Sequence, residues 1–274
     1  MTKSTISPRI AQLDAVLATL TVGLIMIPRS AWITCSPSDL ASNVATLNRE
    51  TMFSTLPVLD ENGKRVLGLY DASQWFNGNA PDVPIGDAFQ PISEDILVAE
   101  DASIFDFISQ ANSHPINLVV RSTQIAGLVS LFDIGQLPVR TALFTLITSF
   151  EMAMASLIES RFERPGDWKR YLSKERQKLL DDAIGTANRN DTYVSDILLT
   201  QFCDKHTVIA KGKLLAGSRT KLDSRIKKIE SLRNDVAHAN NYGQNQQKAN
   251  EVCVVVRDIY DLKQNIQAEI AGTL

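Results

Sequence analysis

Residues 116–134 read Ile116-Asn117-Leu118-Val119-Val120-Arg121-Ser122-Thr123-Gln124-Ile125-Ala126-Gly127-Leu128-Val129-Ser130-Leu131-Phe132-Asp133-Ile134. Two short runs rich in β-branched residues flank a turn at Arg121-Ser122-Thr123, and the second run closes on Ser130 and Asp133, spaced as the two ends of a capping box. The stretch predicts a β-hairpin that feeds a helix. An earlier stretch repeats the plan, with the strand Leu56-Pro57-Val58-Leu59, the turn Asp60-Glu61-Asn62-Gly63-Lys64 and the strand Val66-Leu67-Gly68-Leu69-Tyr70. Ahead of each hairpin lies a helix-like segment, Leu40 to Leu47 or Ile104 to Ala111, and ahead of that a short strand, Trp32-Ile33-Thr34 or Ile96-Leu97-Val98. Each copy is thus strand, helix, strand, hairpin, strand, helix, and Asn62-Gly63 supplies the backbone freedom of a tight turn. One copy cannot cover its own sheet, so the two are expected to pack as one body.

Outside the repeat the pattern changes. Every proline except Pro165 falls at or before Pro138. From Leu143 onward apolar residues recur at helical spacing: Leu143, Leu146, Ile147, Phe150, Met154, Leu157, Ile158 and Phe162 mark a long first helix ended by Pro165-Gly166. Further helices are expected over Glu175 to Ile184, Tyr193 to Ala210, Leu222 to Ala239 and Val252 to Ile270. The fold class expected is an α/β repeat followed by an all-α bundle, divided as an N-terminal extension 1–23, the repeat 24–140 and the bundle 141–274.

Composition sets bounds on function. The 274 residues are 44% hydrophobic and 22% charged, and 28 Lys and Arg against 31 Asp and Glu give a net charge of -3. No overall field draws this chain to nucleic acid, so such a partner would need a local basic patch. Cys35, Cys203 and Cys253 are scattered without a C-x-x-C pair, and the three histidines are dispersed, so no metal centre is expected. Leu13 to Pro28, the most apolar early stretch, is interrupted by Asp14, Thr19, Thr21 and Gly23, and Met1 to Arg9 lacks the signature of an export signal. A cytoplasmic protein with no membrane anchor is the expectation.

With the repeat in view, Gly127-Leu128-Val129-Ser130-Leu131-Phe132-Asp133-Ile134 resembles the closing motif of CBS domains, over a resemblance running from about Leu24 to Leu137. The resemblance implies an adenine nucleotide as regulatory ligand, with Ser130 on a phosphate oxygen, Asp133 on the ribose hydroxyls, and base contacts from Thr34, Cys35, Val98 and Ala99. A hydroxyl donor suits phosphate, and a carboxylate accepts from both ribose hydroxyls. The same pair also reads as a plain helix start, with Ser130 as N-cap, and both roles stay open. In the first copy Asp71 stands in the hydroxyl position and Gln74 in the carboxylate position, an arrangement that repels phosphate; Asp71 or Ser73 suits a helix cap instead.

Near the end of the Leu222 helix stands Arg233-Asn234-Asp235-Val236-Ala237-His238. With Glu151 early in the bundle, Asn240-Asn241-Tyr242 downstream and a closing helix from Val252, residues from about Thr141 to Ile270 resemble the HEPN superfamily, many of whose members are RNases built on Arg-x4-6-His. The resemblance implies a metal-independent endoribonuclease with no catalytic cofactor, acting as a homodimer, with a possible place in stress or phage defence. Such cleavage needs a base for the ribose 2′-hydroxyl, an acid for the departing oxygen and positive charge on the phosphoryl oxygens. His238 suits proton transfer and Arg233 the bidentate grip, with Asn234 orienting either and Asp235 expected to face solvent. Five residues of helix turn about 140°, so two copies of the motif must meet across a dimer or the turn must loosen. The basic stretch Lys205, Lys211, Lys213, Arg219, Lys221, Arg225, Lys227 and Lys228 is the candidate RNA-facing surface or a solvated helix face. Arg233 could equally pair with Glu230 or Asp235 while His238 satisfies the helix end, leaving a nucleotide-responsive scaffold, regulatory or antitoxin-like, that binds a protein or RNA partner.

Overall fold

The computed structural model describes residues 6–78, 81–190 and 194–272. The first helix α1 (Ile6–Leu17) leads to β1 (Ile27–Pro28), α2 (Ala41–Leu47), β2 (Thr55–Leu59), β3 (Val66–Asp71) and α3 (Ser73–Phe76). The second copy follows as β4 (Gln90–Pro91), β5 (Leu97–Ala99), α4 (Ile104–Gln110), β6 (Ile116–Arg121) and β7 (Gln124–Ser130), closing on a 3-10 helix at Leu131–Gly135. The rest is helical: α5 (Leu137–Arg161), α6 (Lys174–Arg189), α7 (Phe202–Gly212), α8 (Arg219–Ala237) and α9 (Gln246–Ala271).

The repeat is real and its strands are exchanged. One sheet has the order β1-β7-β6-β5 and the other β2-β3-β4. The strand leading the first copy therefore joins the second copy's sheet, and the strand leading the second copy joins the first. Gly68 and Gly127 sit at the crossings: a Cβ on Gly68 would lie 2.0 Å from the Gln90 carbonyl oxygen, and one on Gly127 2.7 Å from that of Ile27. The glycine of the closing motif is thus required by strand exchange, independently of any ligand. Sequence reading began the copies too late; Val22-Gly23 and Pro28 recur as Ile85-Gly86 and Pro91 at equal spacing, a signal that places the exchanged strands within the repeat.

The exchange leaves two separate cores. Cys35, Ala41, Val44, Leu56, Val58, Tyr70 and Ala72 of the first copy form one cluster, completed by Ile85 from the second copy's lead segment. The second copy's Ile104, Phe105, Val119, Val129 and Ile134 belong instead to a cluster that continues through Leu143, Leu146, Phe150, Phe202, Val256 and Ile266 of the helical half. The expectation that the two copies bury their sheets on each other is met only through the exchanged lead segments: the second copy's core is otherwise continuous with the bundle, which buries its apolar face.

The bundle is built around α5, which contacts α1, α7, α8 and α9. This helix is apolar and long enough to cross a membrane, and 67% of its most apolar window is buried within the protein, as befits a central core helix. It starts at Leu137 and carries Pro138 in its first turn, where proline removes no needed donor. Residues assigned to an N-terminal extension supply α1, which is tied inward where Lys263 Nζ donates to Asp14 Oδ1 (2.9 Å) and to the buried Ser149 Oγ (2.7 Å). The helix expected from Tyr193 to Ala210 divides: Tyr193 lies outside the described residues, a 3-10 turn occupies Asp196–Leu199, and α7 begins only at Phe202, where Asp204 Oδ2 accepts from the Gln201 backbone N–H at 3.0 Å.

Candidate functional site

At the end of the second copy, Ser130 donates to Asp133 Oδ2 from its backbone N–H (2.6 Å) and from its hydroxyl (2.9 Å). Asp133 Oδ1 accepts from Gln136 Nε2 at 2.8 Å, and that same nitrogen donates to the Ile25 carbonyl at 3.0 Å. The capping geometry is therefore formed, the Asp133 carboxylate is 9% exposed, and both of its oxygens have intrachain donors. A ligand reaching Asp133 would have to displace one of them. In the first copy Asp71 Oδ1 accepts from the Ser73 backbone N–H (3.0 Å) and hydroxyl (2.5 Å) on the exposed turn entering α3, whose N-cap position is Ala72, so neither Asp71 nor Ser73 is the N-cap residue.

The residues assigned to base contact divide in the same way. Cys35 is buried in the first copy's core, its thiol pushed up to about 12 by burial and by Asp39, with Sγ aimed at the Pro57 carbonyl at 3.8 Å. A side chain held in that core is not displayed to a ligand. Thr34 is half-buried beside it, while Val98 and the exposed Ala99 lie on β5 in parallel register with Val119 and Val120.

The second candidate lies at the end of α8. Arg233 and Asn234 are exposed, and among the described residues Arg233 Nη1 meets only Asn234 Oδ1, at 3.4 Å. His238 follows the last helical residue and is exposed, with no side-chain hydrogen bond or ion pair among the described residues. Neither Glu230 nor Asp235 pairs with Arg233. Asp235 is half-exposed and lines the groove between α8 and α9, and its Oδ1 accepts from Asn240 Nδ2 at 3.0 Å. His238 is the C-cap of α8 through its backbone, whose N–H donates to the Asn234 carbonyl at 2.9 Å, while Arg140 donates to the carbonyls of Val236 (3.0 Å) and Asn240 (2.8 Å), so the imidazole itself is not used to satisfy the helix end.

Glu151 is committed to a different part of the bundle. Its Oε1 accepts from Lys205 Nζ at 3.0 Å, and Lys205, 1% exposed, also donates to the Thr200 carbonyl at 2.8 Å. The basic stretch thins accordingly. Lys205 is buried, Arg225 pairs with Asp258 and Asp261, Arg219 lies 3.7 Å from Asp223, and Lys211 donates to the Tyr171 carbonyl. Lys221, Lys227 and Lys228 remain exposed on α8, leading toward Arg233. Beside them a groove of about 1060 Å³ runs between α8 and α9, lined by Lys228, Ser231, Asp235, Asn245, Gln247 and Lys248 among others. Of the other histidines, His206 Nε2 meets Asp223 Oδ1 at 2.8 Å and His114 lies 3.5 Å from Asp95.

No family model and no curated protein matches this chain. Among solved structures, it is similar to the CBS domain of the bacterial CNNM/CorC family Mg2+ transporter in complex with ATP, at 20% identity over 47% of this chain and 93% of that one, TM-score 0.39. A hemolysin-like protein containing a CBS domain from Oenococcus oeni PSU is similar at 15% identity over 46% and 94%, TM-score 0.38. CBSX2 in complex with AMP is similar at 21% identity over 45% and 96%, TM-score 0.36.

Proposed function

We infer that this chain is a metal-independent endoribonuclease of the HEPN kind, carried on a CBS-like pair whose second copy responds to an adenine nucleotide. The observation that carries the reading is the exposure of Arg233 and His238 at one end of α8, with neither side chain engaged by a carboxylate among the described residues. A guanidinium and an imidazole left in solvent at the end of a helix that buries only its Ile226, Ile229, Leu232 and Val236 face have no evident packing role, whereas both are the groups that phosphodiester cleavage requires. Lys221, Lys227 and Lys228 add local positive charge to an otherwise acidic chain. Because five residues separate the two side chains, the working site is assembled from two copies of the chain, one His238 acting as base and the other as acid. The protein works in the cytoplasm, and a toxin or defence role fits a regulated RNase.

A second reading has its own support. Within one chain the motif side chains do not meet, and Ser130 and Asp133 are closed on each other, which suits a non-catalytic scaffold that binds a protein or RNA partner. The test is incubation of the full chain with total RNA in EDTA. The nuclease reading expects products ending in 2′,3′-cyclic phosphate, and rates lowered about 100-fold or more in His238→Ala and Arg233→Ala while the oligomeric state persists. Cleavage that survives in His238→Ala, or none by the wild-type chain, overturns it in favour of the scaffold.

A further inference from the structure

The end of α8 is held by a residue that neither candidate site contains. Arg140, in the first turns of α5, donates from Nη1 to the carbonyls of Asp235 (3.3 Å) and Val236 (3.0 Å) and from Nη2 to that of Asn240 (2.8 Å). Its guanidinium also lies over the Tyr242 ring, 5.0 Å from the centroid. These four contacts bracket His238 on both sides. Between them Ala239 adopts φ +56, a left-handed conformation costly for a residue with a Cβ, and the Asn240 backbone N–H returns to the Asp235 carbonyl at 2.9 Å. The direction in which the His238 ring leaves the helix is set by this turn.

Arg140 is itself linked to the second copy. The Arg140 backbone N–H donates to the Gln136 carbonyl (3.1 Å), and the Gln136 side chain bridges Asp133 and the Ile25 carbonyl. Asp133 in turn holds Ser130. Hydrogen bonds joined through the covalent bodies of Gln136 and Arg140 thus connect Ser130, Asp133, Gln136 and Arg140 to the turn carrying His238. A parallel contact reinforces it: a Cβ on Gly243 would lie 3.0 Å from the backbone nitrogen of Gly135, so the loop after His238 rests directly on the 3-10 helix that follows Ser130. Tyr242, 3% exposed with its hydroxyl unpartnered and its pKa pushed up to about 12 by burial, fixes the loop from below and lies under Arg140.

We propose that Arg140 is a positioning residue for His238, and that the Ser130–Asp133–Gln136–Arg140 series sets the turn geometry at Val236–Asn240 according to the state of the second copy. The mechanical link stands without the nuclease reading; its use in regulating cleavage rests on that reading. A group that takes the Ser130 hydroxyl or an Asp133 oxygen removes a bond from one end of the series, and the guanidinium at the other end loses its fixed base.

The test uses the full chain and reads the imidazole ring signals by NMR, with His114 and His206 as internal references, together with amide exchange over residues 237–240. Arg140→Gln, Gln136→Ala and Asp133→Asn are each expected to shift the His238 signal and to raise exchange in the turn by about tenfold, the loss of one or two net hydrogen bonds, while His206 stays in place. Arg140→Lys, which keeps the charge but not the fork, should restore part of the signal position. An unshifted His238 signal in Gln136→Ala and Asp133→Asn overturns the link, as does equal movement of His206, which would mean general loosening. If Arg140→Gln does not fold, the two upstream variants decide the matter. A shifted signal in a chain that never cleaves RNA leaves the link standing and removes the nuclease reading; an unshifted signal with wild-type cleavage does the reverse.

Discussion

The two copies of the repeat have the same order of elements, exchange lead strands with each other, and end in different circumstances. The first closes a small separate core and ends on an exposed Asp71–Ser73 turn. Its counterpart merges into the bundle core, and its closing Ser130–Asp133 pair is half-buried and bonded onward through Gln136. Identical local grammar therefore does not imply identical coupling. The copy that shares apolar surface with α5 and α9 can pass a change to the helical half, whereas the other is positioned to open by itself.

The sharpest way to break this contrast is cavity formation in the shared core. Phe150, 1% exposed and 6.2 Å from Phe202, is expected to lose about 3–5 kcal/mol on Phe150→Ala, with exchange rising together in β6, β7 and α9. If β6 and β7 remain protected while α9 opens, the cores are separable and the comparison fails. Leu56→Ala in the first copy is expected to cost about 2–4 kcal/mol locally, seen as faster exchange in β2 and β3 with α5 unaffected. A smaller effect, about 1–3 kcal/mol, is expected for Gly68→Ala and Gly127→Ala, and urea denaturation should rank Gly68→Ala the worse because its Cβ meets a carbonyl oxygen at the shorter distance. Below these, Asp133→Ala should cost about 1–2 kcal/mol and Asp71→Ala a few tenths, since only the former leaves buried donors without an acceptor.

The least perturbing comparison uses the native thiols. Burial pushes Cys35 up to about 12 and Cys253 up to about 11, from an ordinary 9.0. Between the ordinary value and these raised values the folded chain binds more protons than the unfolded one, so stability is present below about pH 9 and declines as pH rises toward them. Thiol labelling under mild urea should modify the half-exposed Cys203 first, Cys35 next as the first copy opens, and Cys253 only with global unfolding. Labelling of Cys253 before Cys35 would reverse the assignment of the two cores.

Much of the fold was legible in the residues. Paired short runs flanking turns, the second of each containing Gly68 or Gly127, identified the hairpins, and the spacing from Leu143 to Ile158 identified the central helix. The candidate site was legible only as a list of groups. Arg233 and His238 stood out by type and spacing, but Glu151 was read beside them although Lys205 holds it. Arg140 carried no sequence signal at all, since the carbonyls it binds belong to residues nearly a hundred positions away.

By itself the amino-acid order determined the elements, the internal repeat and the chemistry available at Ser130, Asp133, Arg233 and His238, because these follow from local conformational preference and side-chain type. Tertiary structure alone decided which copy joins the bundle, where the exchanged strands lie and what grips the turn at His238. Those outcomes depend on surfaces and backbone carbonyls that meet only when distant segments are folded together, and a carbonyl is the same in every residue of the chain.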